Sequence, residues 1–169
     1  CTAQALLANI AGMYGVYHGP EGLRQIASNV HLMATALERE LNKLGLEQLN
    51  KCYFDTVKIR VPSAEKARKA AESAQINFRY FDANTVGVSV DETTMPEDLQ
   101  KIVSVFAEAS GRPARLEGVK ALFDGLKPDV PAPFRRSSDF MKHPVFHQYR
   151  SESEMMRYVK SLENKDLSL

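Results

Sequence analysis

The sequence is short of cysteine, of one-sided charge and of long apolar runs. Only Cys1 and Cys52 occur among the 169 residues. They lie far apart with no Cys-x-x-Cys spacing, which argues against a disulfide framework or a cysteine-built metal site and leaves reduced intracellular thiols as the expectation. The 22 basic and 21 acidic side chains are well mixed and sum to +1. With no basic field, nucleic acid gains no support as a partner. No apolar run reaches the ~18 residues a membrane span needs, and no charged n-region with a cleavage pattern marks a signal peptide. Phosphate loops are absent too, since Gly118 and Gly125 fit neither P-loop nor dinucleotide spacing. There is no Gly-x-Ser-x-Gly elbow. At 44% hydrophobic and 25% charged, the composition supplies one real core and not two.

Residues 3–17 are apolar nearly all round: Ala3, Leu6, Leu7, Ile10, Met13, Tyr14, Val16 and Tyr17 recur with little relief. Such a helix is expected to be buried on every side, which a domain of this size can hardly achieve, so part of its surface is expected to meet a neighbour. Gly12 and Gly15 each lower helix propensity by about 1 kcal/mol; close backbone packing and mere indifference are both open. His18-Gly19-Pro20-Glu21-Gly22 breaks the pattern, and Pro20 suits the first turn of a new helix. From Leu23 through Ile26, Val30, Met33, Leu37, Leu41 and Leu44 an amphipathic helix follows, closed by Gly45. Arg24, Asn29, Glu38, Glu40 and Lys43 form its solvated face.

The period changes at Thr56–Val61, a half-buried strand ended by Pro62. Ser63 is expected to cap a short helix to about Gln75, with Ala64, Ala67, Ala71 and Ala74 inward. Phe78–Phe81 and Thr85–Val90 flank a hairpin turn at Asp82-Ala83-Asn84. Thr94 with Glu97 reads as a capping box for a helix burying Leu99, Ile102, Val103 and Phe106 and ending near Gly111. Three strands with helices on one face predict an α/β fold, a two-layer sandwich. One or two helical turns are expected within Leu116–Leu126. Residues 127–133, with three prolines, read as an extended linker. Ser151 with Glu154 opens a last helix that carries Met155, Val159 and Leu162 on one face.

The candidate chemical groups are few. His143 and His147 have the four-residue spacing of paired ligands, but Pro144 intervenes and no third ligand is placed; packing or capping is the default. Cys52 has no histidine beside it and is expected to be a buried thiol rather than a nucleophile. The Arg135-Arg136 pair suits either a partner's carboxylate or phosphate, or plain solvation. Eleven lysines are present, none in the apolar-backed setting of a Schiff-base lysine. No catalytic, cofactor-binding or metal-ligating residue is assigned.

Two stretches carry a resemblance. The first is Cys1-Thr2-Ala3-Gln4-Ala5-Leu6-Leu7-Ala8-Asn9, running through Met13-Tyr14-Gly15-Val16-Tyr17-His18-Gly19-Pro20-Glu21-Gly22-Leu23. The second is Phe140-Met141-Lys142-His143-Pro144-Val145-Phe146-His147, continuing with Tyr149, Ser151-Glu152, Met156-Arg157-Tyr158 and Leu162 to Leu169. In this order, about a domain apart, they resemble the glycine cleavage system P-protein family. Both ends of the chain are expected to be cuts inside a longer protein.

The resemblance implies a parent that decarboxylates glycine on pyridoxal phosphate and passes the aminomethyl group to the lipoyl arm of the H-protein. It implies two homologous halves of type I aminotransferase-like fold in a single chain, a homodimer, and a cofactor lysine in the C-terminal half, outside this sequence. Residues 1–127 would be the small C-terminal domain of the non-catalytic half. Residues 128–169 would be the Pro-rich linker and the start of the catalytic half. No bound cofactor, nucleic acid or membrane is expected for this piece, which would be structural and inactive. Its compartment would be the bacterial cytoplasm or the mitochondrial matrix. The alternative is a free-standing α/β ligand-binding or regulatory module, favoured if a start codon stood at residue 1 and a stop after Leu169.

Overall fold

The computed structural model describes residues 3–113, 118–128 and 130–167. It divides into two compact units, one made of Cys1–Ile26 with Arg136–Leu169, the other of Ala27–Arg135.

Helix α1 spans Ala3–Lys43 and contains one break, Gly19 at φ 60° and ψ −173°. Pro20 follows at once. Its fixed φ suits the start of a helix, and its missing N–H is no loss there, so the chain resumes helix immediately after the break. At its far end α1 stops in a Schellman turn: Leu46 N–H reaches the Leu41 carbonyl and Gly45 N–H the Asn42 carbonyl. Gly45 has φ 68°, as this turn requires. The Arg112 guanidinium donates to the Leu44 carbonyl, satisfying another of the helix-end acceptors.

The second unit holds a four-stranded antiparallel sheet in the order β1-β2-β4-β3. Strand β2 is Thr56–Arg60, β3 is Arg79–Asp82 and β4 is Thr85–Ser89. The strand not expected from sequence is β1, Glu47–Gln48, which pairs along β2 at Arg60 and Ile59. It has only two residues and neither is a strand former, so no alternation announced it. Val57 faces Val88 and Ile59 faces Val86 across β2 and β4, and all four are buried. The period-two pattern thus puts one side of the sheet in the core.

Helix α2 spans Ala64–Ser73 with Ser63 as N-cap, its side chain accepting from Lys66 N–H. Its buried line is Ala64, Ala67, Ala70 and Ala71; Ala74 is exposed, because the helix ends one residue earlier. Helix α3, Pro96–Ser110, buries Leu99, Ile102, Val103, Val105 and Phe106. Ala70, Ala71 and Val105 share a core cluster with Ile76 and Phe78, and Phe78 stacks on Phe106 at 5.1 Å. The expected box of Thr94 with Glu97 is shifted by one residue. Asp98 receives the Met95 N–H at 3.0 Å, while the Thr94 hydroxyl is engaged with Asp91. Pro96 occupies the first helical position, which moves the cap to Met95.

Two buried polar groups in this unit were not anticipated. Glu40, expected on a solvated face, is 5% exposed and lies 2.9 Å from Lys43 Nζ and 3.6 Å from Arg39 Nε. His31 is equally buried. Its Nδ1 lies 2.8 Å from the Phe54 carbonyl, an acceptor only, so Nδ1 carries the proton. The imidazole stacks on the Phe54 ring at 5.4 Å.

Beyond α3 the described chain contains a 3-10 turn at Val119–Leu122 with Leu122 buried. The Arg39 guanidinium holds it through the Ala121 and Asp124 carbonyls at 2.8 and 2.7 Å. Leu116 and Asp129 lie outside the described residues, so the expected helical turns can be followed only from residue 118.

Candidate functional site

The unit built from the two chain ends carries most of the exposed large apolar side chains among the described residues. Leu6, Leu7 and Ile10 are 63%, 65% and 55% exposed, with Tyr14 and Tyr17 partly so. The expected helix is present, but it is not buried on every side: within this chain residues 4–12 are exposed. Single exposed leucines are ordinary, whereas a contiguous group along one helix marks an interaction surface.

One stretch of this segment is covered, by residues from the C-terminal arm, 136–163. Gly15 has the Met141 Cε at 3.5 Å and a Phe146 ring atom at 3.9 Å from where its Cβ would stand, whereas Gly12 has nothing within 4 Å. Neither position therefore requires glycine for space: a Cβ at 15 would make ordinary contact with Met141 and Phe146, and one at 12 would stand in the open. Farther along, Phe140 lies under two guanidinium groups, those of Arg24 at 4.8 Å and Arg136 at 5.3 Å, a cation–π arrangement.

The strongest link is Arg150. Its guanidinium donates to the Val16 carbonyl at 2.8 Å and the Tyr17 carbonyl at 3.1 Å, and also to the Phe146 carbonyl of the arm. It lies where a Cβ on Gly19 would be. A cation placed at the carbonyl end of a helical segment gains from both the orphan acceptors and the helix dipole. Just beyond Arg150 is helix α4, Glu152–Glu163, with the expected capping box: Ser151 Oγ accepts from Glu154 N–H, and Glu154 accepts from the Ser151 N–H. Those bonds, first from the Ser151 hydroxyl and then from backbone N–H groups, hold the Glu154 carboxyl below its usual pKa. The half-buried side of α4 is Met155, Tyr158 and Leu162; Val159, expected beside them, is exposed.

The histidine pair has a local structural use. His143 Nδ1 accepts from Val145 N–H and caps the 3-10 turn Pro144–His147, while His147 Nε2 bonds the Met141 carbonyl at 2.9 Å. Among the described residues no group of three or more His, Cys, Asp or Glu side chains could hold a metal ion. Cys52 is exposed, contrary to the buried thiol expected, because it sits in the loop before β2 rather than on a strand. Arg135 bonds the Val130 carbonyl, and Arg136 reaches the Ser138 hydroxyl as well as Phe140. Of the eleven lysines, Lys58 is half-buried against the Phe81 ring and the other ten are exposed. A lysine that forms an imine must lose its charge near neutral pH, which burial or an adjacent cation brings about. Among the described residues no helix is long and apolar enough to cross a membrane.

Sequence reasoning did not single out Arg150 or Gly19. Arg150 lies in an unremarkable Tyr-Arg-Ser stretch, and its targets are 133 and 134 residues away. Only the Gly19-Pro20 pair, read as a break, pointed toward this place.

Residues 1–106 match the family model described as glycine cleavage system P-protein. The whole chain is 46% identical to a glycine dehydrogenase (decarboxylating) of Flavobacterium johnsoniae and 47% identical to that of Christiangramia forsetii, covering 17% of each. It is 44% identical to the mitochondrial enzyme of that name from Pisum sativum, covering 16%. The chain thus spans about a sixth of the length of the curated relatives it matches.

Proposed function

The chain belongs to the glycine cleavage system P-protein family, and from that premise we propose that it is the scaffold segment linking the two halves of a glycine decarboxylase. The observation that carries this reading is identity of about 45% along the entire chain to proteins roughly six times longer. Residues 1–127 are the small C-terminal domain of the non-catalytic, aminotransferase-like half. Residues 128–169 are the linker and the beginning of the catalytic half in a single-chain protein. The whole protein decarboxylates glycine with pyridoxal phosphate, transfers aminomethyl to the lipoyl group of the H-protein and works as a homodimer. Its relatives carry both bacterial and mitochondrial names, which supports either the bacterial cytoplasm or the mitochondrial matrix.

The residues of this segment do not fit the cofactor. Every lysine except Lys58 is exposed, and Lys58 lies over the Phe81 ring at 4.6 Å on a sheet. The cofactor lysine accordingly belongs to the remainder of the parent. The apolar face of Leu6, Leu7 and Ile10 is covered in the parent by that same remainder.

Borohydride reduction of the parent loaded with pyridoxal phosphate, followed by peptide mapping, tests this reading. The expected adduct falls on a lysine outside these 169 residues. A stoichiometric adduct on any of the eleven lysines here overturns it.

A further inference from the structure

At Gly19 the backbone takes φ 60° with ψ −173°, a combination essentially confined to glycine. A break of this kind leaves the last carbonyls of the preceding segment without intrahelical donors. Near the other helix ends two arginines answer the same need: Arg112 at the Leu44 carbonyl beside Gly45, and Arg39 at the Asp124 carbonyl beside Gly125. At those sites the helix simply ends. Gly19 differs because helix continues on both sides of it. The only covalent element between Ala3–His18 and Pro20–Ile26 is therefore one conformationally permissive residue.

The groups that fix its conformation come from the arm. Arg150 bonds the Val16 and Tyr17 carbonyls and simultaneously the Phe146 carbonyl. Its guanidinium occupies the space that any side chain at position 19 would take. Met141 and Phe146 pack on Gly15, one turn earlier. Val16, Gly19 and Pro20 are buried as a result. Arg150 thus joins carbonyls of the first segment to one of the arm, and the arm meets the second segment where Phe140 lies under Arg24.

We propose that Gly19 is a hinge and Arg150 its lock. With Arg150 seated, the helical segment Ala3–His18 is held at one angle to Pro20–Ile26. When Arg150 withdraws, the segment swings as an intact rod and carries Leu6, Leu7 and Ile10 with it. The arm thereby sets the direction in which the apolar face is presented.

The test uses the full 169-residue chain with Cys1→Ser and Cys52→Ser, kept monomeric by Leu7→Asp and Ile10→Asp and spin-labelled at Ala8→Cys and Glu21→Cys. Both labelled positions are exposed and lie on opposite sides of the hinge. The parent sequence should give one narrow inter-label distance. Arg150→Gln should abolish that single narrow distance while the far-UV helical signal is retained, and Arg150→Lys, a single-point donor, should give an intermediate distribution. Gly19→Ala, whose Cβ displaces the guanidinium, should reproduce the Arg150→Gln result, and the double variant should add nothing to it. An unchanged narrow distance in Arg150→Gln overturns the proposal. So does loss of helical signal, which would mean melting and not reorientation, or a broad distribution before any substitution. If Gly19→Ala does not fold, the two Arg150 variants decide.

Discussion

Asn84 Nδ2 donates to the Pro62 carbonyl at 2.8 Å and so ties the β3–β4 turn to the link between β2 and α2. The Val61 carbonyl accepts from the same amide at 3.2 Å, and Asn84 N–H in turn reaches Asp82 Oδ1. Backbone bonds from Val61 N–H to the Asn84 carbonyl and from Ala64 N–H to the Ala83 carbonyl join the same two segments, and the Asn84 side chain adds to them.

Replacing Asn84 by alanine removes both side-chain bonds. The expected loss is about 1–2 kcal/mol of stability for the Ala27–Arg135 unit. Urea denaturation followed by circular dichroism measures it. An unchanged midpoint would mean that water replaces both bonds without loss.

Helix α2 ends through the same turn as α1 and α3, but with Gln75 where the other two have glycine. Gln75 has φ 58°, and Ile76 N–H bonds the Ala71 carbonyl as the Schellman geometry requires. A side chain there costs roughly 1 kcal/mol. Gln75→Gly should therefore raise stability by about 0.5–1 kcal/mol, and Gly111→Ala, at φ 66°, should lower it by a similar amount. Thermal melts of the two variants should shift in opposite directions.

Asp91 holds its carboxyl below the usual range chiefly because the Thr93 hydroxyl and then the Thr93 N–H bond it. Asp82 and Asp98 are lowered similarly, each first through a backbone N–H, from Asn84 and Met95 respectively. In such cases the unfolded chain binds more protons than the folded one over the interval between the two pKa values. The stabilisation is complete above the unfolded value, about 4, and is lost as pH falls through the lower folded value. Asp91→Asn should give a stability profile with a shallower acid arm below about pH 4. Melting temperatures taken across the acid range would show it; an acid arm as steep as before would refute the assignment.

The apolar face of the first helical segment should make the isolated chain associate with itself. Leu7→Asp combined with Ile10→Asp should return it to a monomer in light scattering, with the sheet unit unaffected. In the parent the same pair should impair assembly, as the proposed covering of this face by the remainder requires. A wild-type chain that stays strictly monomeric at high concentration would count against an apolar contact surface.

Most of the sheet unit was legible because its patterns are local. Val57 and Ile59 alternate with polar neighbours, Ser63 stands at a cap, and Leu37 and Leu41 follow helical spacing. The errors arose where tertiary context prevailed. Glu40 reads as solvated but sits between Arg39 and Lys43 in a buried position. Ala70, not Ala74, completes the inner line of α2. Strand β1 exists through its partner and not through its own composition. The Arg150 contact was illegible for a stronger reason: nothing in a linear pattern relates residue 150 to residue 16. The interleaving of the two chain ends into one unit was hidden in the same way.

That interleaving also has a temporal side. Tyr17 and Arg150 are separated by 133 residues, which a ribosome adding roughly 5–20 residues per second needs about 7–27 s to synthesise. Throughout that interval the first helix has been made without its arginine, and the hinge at Gly19 has no lock. The intervening sheet unit can complete its folding meanwhile, since all its strands precede the arm. Nascent chains of this family therefore pass through a defined stage in which the sheet unit is complete and the first helix still lacks its arginine.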